Sequence, residues 1–254
     1  VNVFITGASS GIGAELARAY ARRGATVGLV ARRADALEAV RSSLAAPHGA
    51  AHVVYACDVT DRTQLAAAAK SFMAHAGTPD VVIANAGISR GALIEYPGDL
   101  SVIEEILATN VLATAATFAP FISAMRERPA ARLVAIASVA GIRGLPGSAA
   151  YSASKAAVIA MAESLRVELR SSSIRVVTIA PGFIMTPMTK GNPYTMPFLM
   201  PVERFAVQAL RAIERGVSYR VIPWQMGVVA KLLRLLPNAL YDMALARATH
   251  KPRD

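Results

Sequence analysis

Val1-Asn2-Val3-Phe4-Ile5-Thr6-Gly7-Ala8-Ser9-Ser10-Gly11-Ile12-Gly13 reads as a buried strand running straight into a glycine-rich turn. The first five residues are β-branched, aromatic or otherwise strand-like, and glycine ends them. A helix over 14–23 opens directly behind. A glycine turn between strand and helix lets backbone N–H groups approach a phosphate, and the helix N-terminus adds its dipole. The spacing is G-x-x-x-G-x-G rather than the commoner G-x-G-x-x-G. An ordinary glycine turn has the same composition. Its place at the first strand–helix junction is what favours a dinucleotide site.

Outward from this turn, the chain repeats one alternation. Strand patterns at 26–31, 53–56, 81–84, 133–137 and 174–179 are separated by helical patterns at 35–46, 62–75, about 100–126 and 152–169. Such alternation implies a parallel sheet with helices on both faces. Right-handed crossovers then bring Gly7, Asn85, Ser138 and Pro181 to one edge of the sheet. Neither an internal repeat nor a linker splits the chain.

The strand ends carry the chemistry. The second strand stops at Ala31-Arg32-Arg33, with no carboxylate until Asp35. In NAD-binding sheets an acidic residue near here takes the ribose 2′-hydroxyl. Two arginines instead suit a 2′-phosphate, so NADP is expected over NAD; two solvated arginines ahead of a helix are the plainer reading. Asp58 either accepts from an adenine amino group or simply turns the chain. Asn85-Ala86-Gly87 is another exit from a strand into small residues. Asn110 sits inside an apolar helical pattern, where its side chain needs hydrogen-bond partners. Ser138 ends the fifth strand, and Tyr151-Ser152-Ala153-Ser154-Lys155 follows. On a helix, Tyr151 and Lys155 leave one face a turn apart. A lysine ammonium beside a phenol favours the phenolate, so the tyrosine pKa is expected to fall. A phenol tuned in this way can exchange a proton during catalysis.

Taken together, Thr6-Gly7-x3-Gly11-x-Gly13, Asn85-Ala86-Gly87, Asn110, Ser138, Tyr151-x3-Lys155 and Pro181-Gly182 make the chain resemble the short-chain dehydrogenase/reductases over about residues 1–222. The resemblance implies a single Rossmann domain, a three-layer αβα sandwich with a seven-stranded parallel sheet whose last strand lies near 220–222. It implies Tyr151 as acid/base, Lys155 lowering its pKa and holding the nicotinamide ribose, Ser138 polarising the carbonyl, and Asn110 holding a water that links Lys155 to solvent. Gly7, Ser9, Ser10, Gly11, Ile12 and Gly13 would line the pyrophosphate and ribose. Arg32 and Arg33 would take the 2′-phosphate of NADP, and Asp58 and Val59 would flank adenine. Asn85, Ala86 and Gly87 would support the adenine ribose. Pro181, Gly182, Ile184 and Thr186 would approach the nicotinamide. The implied reaction is hydride transfer between nicotinamide and a carbonyl or secondary alcohol. Family members commonly form homodimers or homotetramers.

Composition narrows the rest. The chain has 254 residues, enough for one large α/β domain, with 54% apolar and 17% charged residues, which excludes a disordered chain. Cys57 is the only cysteine, so no intramolecular disulfide can form. His48, His52, His75 and His250 lack metal-ligand spacing, and no metal is expected. The chain opens in a strand pattern and has no uncharged apolar run of about twenty residues. No signal peptide or membrane span is therefore expected, and the location is expected to be cytoplasmic or peripheral at a membrane. The formal net charge is +10, and the last 54 residues hold nine Lys/Arg against four Asp/Glu. The basic residues are spread and no nucleic-acid motif is present, so no nucleic-acid partner is expected.

The stretch 185–200 contains Met185, Met188, Met196 and Met200 with Tyr194 and Phe198. It suits an apolar lid over a hydrophobic carbonyl or alcohol substrate, or equally a loop packed on the body. Residues 223–254 form a C-terminal helical extension, with helices expected over about 228–236 and 238–247. This extension either packs beside the substrate mouth or a neighbouring subunit, or lies on a membrane as a basic amphipathic anchor. The leading reading is an NADP(H)-dependent reductase of a hydrophobic carbonyl. A 3-oxoacyl carrier-protein reductase and a non-catalytic NADP-binding sensor are the alternatives. The full set Asn110, Ser138, Tyr151 and Lys155 argues against the sensor.

Overall fold

The computed structural model describes residues 1–246. The expected helix end at Arg247, and His250, lie outside them. The side chain of His48 is likewise not described.

Seven strands form one parallel sheet: β1 (Asn2–Thr6), β2 (Thr26–Ala31), β3 (Val53–Ala56), β4 (Val81–Ala84), β5 (Ala131–Ile136), β6 (Ile174–Pro181) and β9 (Tyr219–Ile222). Their order is β3-β2-β1-β4-β5-β6-β9. Two short strands, β7 (Ile184–Met185) and β8 (Met200–Pro201), pair outside it. The order reverses between β1 and β4, which register Val3 with Val81 and Ile5 with Ile83. A crevice at the carboxyl ends of strands at such a switch point is where ligands bind in open α/β sheets.

The strands are apolar throughout because both faces are covered. Successive residues point to opposite layers. Val3 and Ile5 enter one core and Phe4 the other, as Val81 and Ile83 oppose Val82 and Ala84. On the first face lie α1 (Gly11–Ala21), α2 (Ala34–Ser42) and α7 (Val202–Glu214). On the second lie α3 (Arg62–Ala76), α5 (Ala113–Met125) and α6 (Ala149–Glu168). The second core holds an aromatic cluster: the Phe4 ring centroid lies 5.5 Å from that of Phe72 and 4.9 Å from that of Phe121. The three-layer sandwich expected from the alternation is the fold found.

The stretch expected as one helix over 100–126 is not uniform. α4 (Leu100–Leu107) passes through a π-helical turn, Ala108–Leu112, before α5 begins. The extra residue per turn rotates Asn110 into the protein, where it is fully buried. Thr114 Oγ1 donates to the Asn110 carbonyl at 2.8 Å. By length and composition Pro97–Met125 is apolar enough to cross a membrane, but Phe118, Phe121 and Met125 are buried in the second core. After β9, α8 (Trp224–Leu235) and α9 (Asn238–Leu245) close the described chain.

Candidate active site

A cleft of about 400 Å³ runs along the carboxyl ends of the central strands. It is lined by every residue expected at the site except Gly13 and Asn110. Those two sit behind the wall and shape it.

The glycine turn is held by backbone packing. Gly7 has φ +66°, and a Cβ there would come within 2.8 Å of the Ala86 Cα. At Gly13 a Cβ would lie 2.4 Å from the Gly7 carbonyl oxygen and 2.5 Å from Asn85 Nδ2. Gly13 therefore lets α1 dock on the turn; it does not face a ligand. Asn85 locks the same place, its Nδ2 donating to the carbonyls of Thr6 at 2.9 Å and Gly7 at 3.1 Å. Its amide is thus committed to the loop that forms the cleft floor. Ser10 precedes α1 without a capping side-chain bond, and the first turn has no acidic residue. The orphan N–H groups of that turn face the cleft and suit a phosphate. Arg32 and Arg33 are exposed at the rim. Asp58 accepts from Thr60 N at 2.9 Å and Thr60 Oγ1 at 2.7 Å, so it turns the chain as well as lining the cleft. Burial opposes the charge on Asp58, but the Thr60 hydrogen bonds, with Arg32 nearby, outweigh it and hold the carboxyl below its ordinary range. These features fit a dinucleotide: a cradle that admits no Cβ, uncapped donors, and cations at the far rim.

At the other end Ser138 starts the 3₁₀ turn Val139–Gly141, accepting from Ala140 N at 3.1 Å. A side-chain hydrogen bond joins Ser138 to Tyr151 in the first turn of α6. One turn on, Lys155 is buried, and its Nζ donates to the Ile136 carbonyl at 2.9 Å. Burial pulls the Lys155 pKa down to about 8. Tyr151 departs from expectation: its pKa is raised, not lowered. Burial is the main cause, Ser138 offsets it in part, and nearby Tyr194 adds to it. Lys155 Nζ lies 5.9 Å from the Tyr151 ring centroid and is bonded to the Ile136 carbonyl. Desolvation acts on both groups and outweighs the attraction expected between them.

Asn110 is a clamp. Its Oδ1 accepts from Ile88 N at 2.8 Å, and its Nδ2 donates to the Ile88 carbonyl at 3.0 Å and to Ser154 Oγ at 2.9 Å. It joins the loop after β4 to the residue preceding Lys155. A Cβ at Gly87 would lie 3.2 Å from Asn110 Oδ1 and 3.4 Å from Lys155 Nζ, so these groups gather around that glycine.

The loop after β6 covers the cleft in part. Ile184 pairs with Met200, pinning both ends of the stretch expected as a lid. Its methionines divide: Met188 lines the cleft, Met200 is buried in the first core, and Met185 points outward at 54% exposure. The sequence reading missed Cys57, Ile88, Thr109 and Ile136 as lining residues. Ile88 follows Asn85-Ala86-Gly87, so continuing that motif by one residue would have found it. Ile136 contributes a backbone carbonyl, which no side-chain pattern marks.

The short chain dehydrogenase family model matches residues 1–196. A protein of Myxococcus xanthus (strain DK1622), named an uncharacterized oxidoreductase, is 39% identical over 243 residues, covering 96% of this chain and 95% of that protein. The 3-oxoacyl-[acyl-carrier-protein] reductase of Chlamydia muridarum (strain MoPn / Nigg) is 36% identical over 190 residues, covering 74% of this chain and 75% of that protein. Among solved structures, L-sorbose reductase from Gluconobacter frateurii, complexed with NADPH and L-sorbose, is similar with a TM-score of 0.79 at 26% identity, covering 87% of this chain and 94% of that one. By sequence over most of its length and by the order of its sheet, the chain belongs to the short-chain dehydrogenase/reductase family of oxidoreductases.

Proposed function

We propose that the protein reduces the carbonyl group of a small hydrophobic ketone or aldehyde, using NADPH. The observation that carries this reading is Tyr151: a phenol hydrogen-bonded to Ser138 and one helical turn from the buried Lys155, in the cleft that begins at the glycine turn. When bound, the nicotinamide supplies the hydride. The chain supplies position and the proton. Ser138 and Tyr151 are hydrogen-bonded neighbours in the cleft lining, so a carbonyl oxygen that replaces their mutual bond takes a hydrogen bond from each. Tyr151 passes its proton to that oxygen as the carbon takes the hydride, and an alcohol results. A phenol with its ordinary pKa already holds its proton at neutral pH, and burial raises the Tyr151 pKa further, so Tyr151 enters the reaction as the acid. Lys155, with a pKa of about 8, then restores the proton near physiological pH. A water at Lys155 completes the proposed path to solvent. Asn110 is a positioning residue in this scheme, since its side-chain bonds go to Ile88 and Ser154.

The NADP preference is supported by Arg32 and Arg33 at the rim, by the lack of a carboxylate at the end of β2, and by the NADPH bound to the sorbose reductase. The hydrophobic substrate is supported by Ile88, Pro187 and Met188 in the cleft wall. A homodimer or homotetramer belongs to the same proposal: Leu107 and Leu112 on the long helical stretch and Val167 on α6 stay exposed for such a contact. The second reading, reduction of a 3-oxoacyl group on an acidic carrier protein, is supported by the net charge of +10 and by the Chlamydia relative.

The test is NADPH and NADH oxidation across ketones and aldehydes of graded hydrophobicity, with a 3-oxoacyl thioester alongside. Turnover with NADPH that rises with apolarity is expected. A much faster thioester would move the assignment to the second reading. Tight NADPH binding with no turnover on any compound would overturn the reductase proposal.

A further inference from the structure

The C-terminal helix pair carries apolar surface that the body leaves bare. α8 buries Met226, Gly227 and Ala230 against the body. On its opposite side, at helical spacing, Trp224, Val228, Leu232 and Leu235 form a stripe with exposures of 66%, 48%, 60% and 80%. α9 adds Leu240 and Met243, three apart and also exposed. A helix that is apolar on both faces is normally covered on both. A contiguous exposed patch of this kind marks a binding surface.

Charge selects the occupant. Lys231 flanks the stripe, and Arg234 lies farther round the same helix, both exposed. Neither has an ion pair within 4.0 Å among the described residues. The whole chain carries +10. A second copy docked about a two-fold axis would bring these cations toward their own counterparts, since such an interface pairs a patch with itself. An anionic lipid surface accepts both features: the stripe enters the boundary between headgroups and acyl chains, Trp224 at one end suits that boundary, and the cations meet phosphates.

We propose that α8 and α9 form a docking surface for an anionic lipid bilayer. The pair is fastened to the active-site side of the molecule. Arg143 Nη2 donates to Asn238 Oδ1 at 2.9 Å, and the Arg143 guanidinium stands 4.2 Å from the Tyr241 ring centroid. Tyr241 Oη donates to the Gly144 carbonyl. Arg143 and Gly144 follow the Val139–Gly141 turn that Ser138 opens. Docking therefore sets the mouth beside Ser138 near the bilayer, where a hydrophobic substrate concentrates. That last consequence rests on the substrate class proposed above; the docking does not.

The experiment is co-sedimentation of the full chain with phosphatidylcholine vesicles, with and without phosphatidylglycerol, at low and high salt. The Leu232→Glu, Leu235→Glu double variant and the Lys231→Glu, Arg234→Glu double variant run alongside, with NADPH binding and circular dichroism reporting the fold. The wild-type chain is expected to pellet with anionic vesicles. The leucine pair should weaken binding about tenfold or more, and the cation pair should weaken binding to the anionic vesicles and reduce its salt dependence. Should the leucine pair disturb the fold, the milder Leu235→Asn tests the same surface. The proposal falls if the wild-type chain stays in solution with both vesicle types. It also falls if folded leucine variants pellet like wild type, or if the stripe holds a dimer or an acidic carrier protein and no lipid. Vesicle binding is read without turnover, so its failure is separate from failure of the reductase reading.

Discussion

At the glycine-turn end of the cleft, backbone meets backbone: Asn85 Nδ2 bridges the Thr6 and Gly7 carbonyls, and Gly13 lets α1 approach where no Cβ fits. At the Tyr151 end, side chains are held where water would suit them better. Lys155 is buried on a carbonyl, and Tyr151 is raised by desolvation. Beyond it, the loop after β6 and the C-terminal helices leave Phe198 and Leu235 exposed. One end fixes a shape, and the other tunes protonation at a cost in stability. Substitutions at the two ends should therefore fail in different ways.

The largest effect is expected at the tuned end. Tyr151→Phe should lower kcat by about 10²–10⁴-fold, the usual worth of a positioned acid or base, while NADPH still binds. Stopped-flow hydride transfer with a fluorescence titration of NADPH checks both halves, and a retained rate would remove Tyr151 as the acid. Lys155→Met follows. A pKa of about 8 in the folded chain, against 10.5 unfolded, means that the buried ammonium costs roughly 3 kcal/mol below pH 8. In that range the variant should unfold at higher denaturant than wild type while losing activity. Because the folded protein releases this proton first, wild-type stability should climb relative to the variant between about pH 8 and 10.5. Urea melts across that range measure the slope, and a flat difference would mean that Lys155 is not desolvated.

At the shaped end, Gly13→Ala should cost about 1–3 kcal/mol of stability, as overpacking does, because the methyl meets a carbonyl oxygen that cannot move without the turn. Thermal melts report it, and a melt like wild type would show that α1 can shift. The smallest effect is at the rim. Replacing Arg32 and Arg33 with alanine should weaken NADPH about tenfold or somewhat more, with NADH nearly unchanged, since only a 2′-phosphate gains the charge-assisted bonds. Equal losses for both cofactors would sink the 2′-phosphate assignment.

Much of this was legible in the chain itself. The strands at 26–31, 53–56 and 81–84 fall where their apolar runs place them, because β-branched runs stopped by glycine or polar residues are local signals. The glycine turn, Ser138 and the Tyr151–Lys155 spacing are local too, and the parallel alternation brings them to one edge. Three things needed the folded molecule. The π-helical turn at Asn110 answers a demand from Ile88 and Ser154, 22 and 44 residues away. The methionines of the loop after β6 look alike in sequence, yet Met200 is core and Met185 is surface. The Tyr151 pKa rises where its neighbour in sequence predicted a fall, because desolvation is set by everything packed around a group and not by the residue one turn away. Residue order determined which groups share the cleft, since periodicity and turns act over a few residues. Tertiary packing alone decided their protonation and exposure, since those depend on atoms brought together from across the chain.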